Sequence, residues 1–411
     1  MKILFLTHYF PPEVNAPASR TYDNTKRWVK AGHDVTVITC APNCPDGVVY
    51  EGYKNKLIQK EEIDGIKVVR LWTYLAPNAG TVKRILNYVS YMISAFLYCL
   101  FMKKPDIMIA TSPQFFCGWA GVLLRKVRRF PFVLEIRDIW PESIITVGAI
   151  KNKKIIGFLE WMEKYMYKTA GHIVAVGKGY KNNITSKNVP DEKVSVIYNG
   201  VDLSVYQKSD NGGKVREEFG LIDKKVVSYI GTIGMAHGLE VVLEAARKTK
   251  GKDIVYLIVG DGARRKELQE NAKKEGLENV VFTGRMPKDR MPEVWSAIDI
   301  SLIHLKKSDL FKSVIPSKMF EAMAMEIPVI MGVAGEAGEL VKESGAGVCM
   351  DPENAEELVE KIDDILGDEA KAKRLGENGR KFVEQRFNRD TLAEDYMRIL
   401  EKVPGECHYR V

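Results

Sequence analysis

The chain has 411 residues, 45% of them apolar and 28% charged, with a formal net charge of +7. That length exceeds one ordinary core, so two domains are expected, and the composition is that of a globular enzyme without low-complexity tracts. The modest basic surplus suits anionic substrates or an anionic membrane surface; no nucleic-acid partner is expected.

Six cysteines, at positions 40, 44, 99, 117, 349 and 407, show neither pairing rhythm nor metal-ligand spacing. They read as reduced thiols of a cytoplasmic protein. Met1–Leu6 is a short β run that stops at Thr7-His8, which is not a signal peptide. Prolines 11, 12 and 17 stiffen the loop that follows, and a helix is expected over about 18–31, ending at Gly32. With a strand at 33–39 this makes a βαβ unit of a doubly wound sheet, whose strand C-termini line the ligand crevice. Asn15 and Arg20 then lie on that side, as acceptor-side candidates.

The run 85–102 carries no charge and is flanked by Lys83, Arg84, Lys103 and Lys104. Asn87, Ser90 and Ser94 interrupt it, so it reads as a core or interfacial helix, with peripheral contact to an anionic membrane expected. Further strands are expected at 67–72, 107–111, 132–136 and 172–176. The loop Arg137-Asp-Ile-Trp-Pro-Glu-Ser143 follows one of them directly. Polar residues placed there are suited to chemistry, Asp138 as general base and Arg137 as its neutraliser or as a ligand of an acceptor phosphate. A helix over 153–170 carries the stripe Phe158, Trp161, Tyr165 and Tyr167, expected in the core. Asn199-Gly200 is expected to turn with positive φ, and 205–215 to be a linker.

A second αβ series begins at 226–230 and runs into Gly231-Thr-Ile-Gly-Met-Ala-His-Gly238. Glycines there let backbone N–H groups approach a phosphate. Strands at 253–259, 279–283 and 299–304 lead to Pro316-Ser-Lys-Met-Phe-Glu-Ala-Met-Ala324. Ser317 is placed to cap a helix from Lys318 to about Met325, which sets Lys318 and Glu321 on one face of the first turn. There a cation meets a diphosphate and a carboxylate accepts from ribose hydroxyls; a surface ion pair is the other reading. Helices are expected over 355–365, 370–385 and 389–402.

These motifs, from the Gly231–Gly238 loop through Val259-Gly-Asp-Gly262 and Phe282-Thr-Gly-Arg285 to Pro316–Ala324 with Pro328-Val329, resemble the GT-B retaining glycosyltransferases of family 4. Arg137–Ser143 resembles the branch that transfers fucosamine-type sugars in O-antigen and capsule assembly. The resemblance implies an α/β GT-B fold, two Rossmann-like doubly wound domains facing a cleft. The acceptor-binding domain would span 1–205, joined by a C-terminal helix over about 387–411 that crosses back to it, and the nucleotide-sugar domain 206–386. It assigns Glu321 to the donor ribose, Lys318 and His237 to the phosphates, Gly231, Thr232 and Gly234 to the diphosphate turn, Arg285 to the base, and Asp138 to the reacting sugar. Three positions depart from the pattern: Ser313 replaces the usual first acid, His237 a more basic residue, and Glu326 the glycine that ends the helix.

The function implied is transfer of an N-acetylated deoxy-amino sugar from a UDP-sugar to a lipid-linked saccharide, without metal or other cofactor. The alternatives are a sugar-nucleotide 2-epimerase of the same fold and a non-catalytic nucleotide-sugar-binding protein.

Overall fold

The structure, a computed structural model, describes residues 1–77, 81–146, 150, 152–209 and 211–406. The chain divides into two units, Met1–Tyr198 with Asp390–Val411, and Asn199–Arg389. The expected boundaries lay at 205/206 and 386/387.

The first unit contains, in order, β1 (Lys2–Leu6), α1 (Ala16–Lys30), β2 (Asp34–Cys40), β3 (Ile58–Ile63), β4 (Ile66–Leu71), α2 (Thr81–Leu100), β5 (Ile107–Thr111), α3 (Phe115–Arg128), β6 (Phe132–Ile136), α4 (Glu142–Thr146), α5 (Lys153–Thr169), β7 (His172–Ala175), α6 (Lys178–Ser186) and β8 (Val194–Val196). Its eight strands form one sheet in the order β3-β4-β2-β1-β5-β6-β7-β8. All pairings are parallel except β3 with β4. The central strands are buried on both faces, which is why they read as unbroken apolar runs rather than alternating ones. One face packs against α2, α3 and α5.

The second unit contains α7 (Gly212–Glu218), β9 (Lys225–Ile230), α8 (Glu240–Lys248), β10 (Ile254–Val259), α9 (Arg265–Lys274), β11 (Val280–Gly284), α10 (Met291–Ser296), β12 (Ile300–His304), α11 (Lys318–Ala324), β13 (Val329–Gly332), α12 (Glu336–Ser344), β14 (Gly347–Cys349), α13 (Ala355–Leu366) and α14 (Glu369–Arg386). Its six parallel strands run β11-β10-β9-β12-β13-β14. The order reverses between β9 and β12, and a ligand crevice is expected at the carboxyl ends there.

The last helix, α15 (Arg389–Glu406), returns to the first unit as expected. It covers the other face of that sheet with Leu392, Tyr396, Met397 and Leu400, and the buried Trp28 donates its indole N–H to Ala393 O at 3.1 Å. The expected end of this helix, 407–411 with Cys407, lies outside the described residues.

Four expectations are corrected. β3 is an added edge strand, joined to β4 by Asp64-Gly65 with both φ positive, a two-residue hairpin turn. Neither Asn199 nor Gly200 has a positive φ. Part of the expected linker is α7, seated so closely that a Cβ on Gly212 would stand 2.4 Å from Ser296 O. The aromatic stripe of α5 is not core: Tyr167 is buried, but Phe158 and Trp161 are more than half exposed.

Candidate active site

In the second unit, α11 begins at Lys318, preceded by Ser317, whose side chain makes no capping bond. Met319, Phe320, Ala322 and Met323 fill the core, which fixes the rotation of the helix and leaves Lys318 and Glu321 on one face. Lys318 Nζ donates to Glu321 Oε1 and Oε2 at 3.2 and 3.0 Å. Trp295 of α10, fully buried, donates its indole N–H to Oε2 at 3.2 Å. Glu321 is 7% exposed. A carboxylate offers about four acceptor sites, so three donated bonds leave room at Oε1 for a hydroxyl, and a second if Lys318 turns to an anion. The arrangement is a half-open acceptor of hydroxyl groups, with a cation beside it.

Two residues past α11, Glu326 adopts φ +55° and is held by Lys208 Nζ at 2.7 Å. The departure from glycine therefore keeps the left-handed geometry and carries its strain. The space beyond is closed: a Cβ on Gly376 would stand 2.2 Å from Glu326 O. Ser313 ends a short 3-10 turn over Asp309–Ser313 and supplies no acid.

The glycine loop differs from expectation. Gly231 N–H donates to Val259 O, Ile233 N–H to Asp261 O, and Gly260 N–H to Gly284 O, each at 2.9 Å. A Cβ on Gly260 would lie 1.9 Å from Gly231 O, and one on Gly262 2.4 Å from Ile233 O. Glycine is needed here because the loops after β9 and β10 approach each other too closely for a side chain. Gly234 N–H donates to His237 Nδ1 at 3.3 Å, so it too is engaged. Accepting that proton makes Nδ1 the unprotonated nitrogen, and burial holds the His237 pKa below its usual value. His237 is thus a neutral ring with Nε2–H as donor, in place of the more basic residue usual at this position.

Its carbonyl is held at 2.7 Å by His304 Nδ1, and His304 Nε2 accepts from Glu353 N–H at 2.8 Å. These bonds fix the His304 tautomer and tie the Met235–His237 turn to the end of β12, at the reversal point of the sheet. Thr232 accepts at its carbonyl from Tyr229 Oη, and Arg285 stands exposed just after β11.

In the first unit, Asp138 follows β6 in a loop whose Trp140 stacks on Phe115 at 5.7 Å. The N–H groups of Arg137 and Asp138 both donate to Ser112 Oγ, at 2.7 and 3.2 Å, and Ser143 Oγ–H donates to Asp138 Oδ2 at 3.2 Å. Burial pushes the Asp138 carboxyl above its usual pKa, a direction suited to a base.

One neighbour is corrected, and two have structural partners of their own. Arg137 forms no ion pair with Asp138; its charge faces Glu135, and burial draws its pKa down to about 10. Its Nη2 donates to Ala16 O at 3.2 Å, while Nε and Nη1 are enclosed without a partner. Arg20 is committed to structure: Nε donates to Glu135 Oε1, and Nη1 and Nη2 to Tyr198 O and Ile197 O, all at 2.9 Å. Asn15 caps α1, its Oδ1 accepting from Ala18 N–H. Glu135 is fully buried; desolvation pushes its carboxyl up, but Arg20, Arg137 and Thr111 outweigh this and hold it below the usual range.

Sequence reasoning missed Trp295, His304, Ser112 and Glu135. Glu135 carried a signal, a charge inside a run otherwise apolar; the others are recognisable only once the strands are paired. Among the described residues, no group of three or more His, Cys, Asp or Glu is placed to hold a metal, and no helix is long and apolar enough to cross a membrane.

Residues 18–205 match the family model described as Glycosyltransferase Family 4, and residues 213–382 the model described as Glycosyl transferases group 1. Between them the two models, both of glycosyltransferases, take in most of the chain. A putative colanic acid biosynthesis glycosyl transferase, WcaI of Escherichia coli K12, is 28% identical over 377 residues, covering 89% of this chain and 92% of the relative. Sucrose-phosphate synthase from Thermosynechococcus elongatus superposes with a TM-score of 0.78 at 17% identity, over 98% of both chains. Anabaena Alr3699/HepE, solved with UDP and glucose, superposes at 0.73 with 20% identity, over 98% of this chain and 99% of that one. The fold is GT-B.

Proposed function

We propose that this glycosyltransferase moves a sugar from a UDP-sugar to a hydroxyl of a lipid-linked saccharide, at the cytoplasmic face of a membrane, during assembly of a surface polysaccharide. The observation that carries the reading is Glu321, almost buried yet left with acceptor capacity, with Lys318 beside it. Glu321 accepts from the ribose hydroxyls while Lys318 turns to the diphosphate. In the reaction the C1–O bond to the diphosphate breaks, its electron pair leaves with UDP, and the acceptor oxygen bonds C1 as its proton is taken by a base. Charge developing on the diphosphate is met by Lys318 and by the neutral His237 through Nε2–H, without a bound metal. The name of the colanic acid relative supports a polysaccharide product, and the UDP bound by HepE supports a uridine donor. The sugar is an N-acetylated deoxy-amino sugar, a reading that rests on the Arg137–Ser143 resemblance; retention rests on the resemblance of the Gly231–Gly238 and Pro316–Ala324 motifs.

A donor screen tests this. UDP and a UDP-N-acetyl-amino sugar should raise the melting temperature of the wild type and not of Glu321→Ala. A larger shift with GDP-sugars would overturn the uridine assignment. An equal shift in Glu321→Ala would overturn the ribose site.

A further inference from the structure

Helices α2, α3 and α5 form one layer over the first unit's sheet, and their outer surface is unlike the rest of the molecule. On α2 and just beyond it, Val82, Leu86, Ile93, Leu97 and Phe101 are all about half exposed or more. Their spacing keeps them in one stripe, roughly 28 Å long at 1.5 Å per residue. On α5, Ile155, Phe158 and Trp161 stand equally exposed. Phe158, Trp161 and Tyr165 stack in sequence at 5.9 and 5.6 Å, and Tyr165 stacks on Trp119 of α3 at 5.8 Å, so the aromatic ladder joins two helices. An isolated exposed apolar side chain is ordinary, but an aligned set across three helices marks a contact surface.

The charge of this layer is as distinctive. The segments 81–104, 115–129 and 153–169 hold twelve Lys and Arg against Glu160 and Glu163, a surplus of ten where the whole chain has seven. All of the net positive charge therefore resides here, and Glu163 is turned inward onto Lys187 at 2.6 Å. Lys83, Lys103, Lys104, Lys126, Lys153 and Lys154 form no ion pair among the described residues. Lys126 lies over the Tyr165 ring at 5.5 Å, and Arg128 Nη2 donates to Met102 O at 3.1 Å, which sets the basic ends of α2 and α3 side by side.

We infer that the outer face of α2, α3 and α5 docks on an anionic lipid surface, with Phe158, Trp161, Leu97 and Phe101 entering the headgroup–acyl boundary and the unpaired lysines meeting lipid phosphates. Apolar side chains with aromatic rings at an interface, surrounded by unpaired cations and almost no acid, are what a bilayer of anionic lipids selects. A protein partner would need a long acidic surface with a matching apolar stripe; a second copy of this chain offers the same positive face and is repelled. The docking rests on this surface alone and not on the donor chemistry, so it is tested without any sugar nucleotide.

The full chain is sedimented with vesicles of phosphatidylcholine and with vesicles holding one third phosphatidylglycerol. Binding is expected to the anionic vesicles only, and to weaken as salt rises. Phe158→Ser with Trp161→Ser should weaken it at least tenfold, and Lys153→Gln with Lys154→Gln likewise. Leu97→Ser with Phe101→Ser provides an independent pair. All these side chains are exposed, so the melting temperature should hold. Equal binding to neutral vesicles, or binding untouched by the three pairs, would overturn the inference. So would a concentration-dependent dimer that Trp161→Ser dissociates, which would give the face to a second copy.

Discussion

The indole N–H of Trp295 donates to Glu321 Oε2 at 3.2 Å, joining a fully buried ring to a carboxylate that retains acceptor capacity. The bond aims Glu321, because among the described residues the carboxylate has only Lys318 as its other side-chain partner. Trp295→Phe keeps an aromatic ring but removes the donor. The donor KM should rise severalfold and stability fall by about 2 kcal/mol, the scale for a bond to a charged group plus a small cavity. Nucleotide titration alongside urea denaturation separates the two; lost stability with unchanged nucleotide affinity would confine Trp295 to packing.

Lys318 is a third exposed, so its pairing with Glu321 adds little to stability. Lys318→Ala should lower kcat about 100-fold, the loss seen on removing one donor to developing charge, and change unfolding by less than about 1 kcal/mol. Stability lost without loss of kcat would return the pair to the surface reading.

Burial raises the Asp138 pKa, so the folded protein favours the protonated acid and bears a cost for holding the carboxylate at neutral pH. Asp138→Asn removes that cost. The variant should lose most transfer activity, be at least as stable as wild type at pH 7, and lose that advantage as pH falls toward the ordinary aspartate value. The acidic limb of the wild-type kcat/KM profile should lie above that ordinary value.

His8 lies buried against Tyr9, Tyr88 and Tyr91, its Nδ1 without a partner, and desolvation lowers its pKa from 6.5 to about 4. Below pH 6.5 the unfolded chain takes up a proton that the folded one refuses, so this contribution to stability is whole above 6.5 and drains away toward pH 4. The loss should be about 3 kcal/mol, at about 1.4 kcal/mol per pH unit. Denaturant melts at both pH values should show His8→Phe losing that much less on acidification.

Glu326 holds φ +55° two residues past α11. A left-handed residue with a side chain costs about 1–2 kcal/mol, and the exposed Lys208 pairing returns less than about 1 kcal/mol. Glu326→Gly should therefore stabilise the protein by about 1 kcal/mol and leave donor binding unchanged, as equilibrium unfolding and nucleotide titration would show.

Strand placement was legible because parallel strands buried on both faces read as apolar runs: Ile107–Thr111 and Phe132–Ile136 lie where the sequence put them. Ile58–Ile63 was not seen because it lies at the sheet edge and holds four polar residues in a row, Gln59-Lys-Glu-Glu62, though Asp64-Gly65 was a hairpin signal in plain view. The Lys318–Glu321 pair was readable because helical spacing is local. Its third member was not, since Trp295 arrives from another helix and nothing near it in sequence mentions Glu321. The glycines after β9 were visible as a motif, but the positions with no room for a side chain are Gly260 and Gly262 after β10, which meet Gly231 O and Ile233 O and are reached only through sheet pairing. Asn15 and Arg20 were on the expected side, yet a cap and a buried carboxylate had first claim on them.

The return of α15 to the first unit has a consequence for biosynthesis. Leu392, Tyr396, Met397 and Leu400 cover a sheet whose strands are made in the first half of translation. Until the ribosome has passed residue 400, that face is left as bare hydrocarbon, with Trp28 among the side chains it exposes. The nascent first unit should therefore be aggregation-prone while the second unit completes its own sheet. A gene cut after Tyr198 would yield a fragment that aggregates, and adding 390–406 as a separate peptide should restore its solubility.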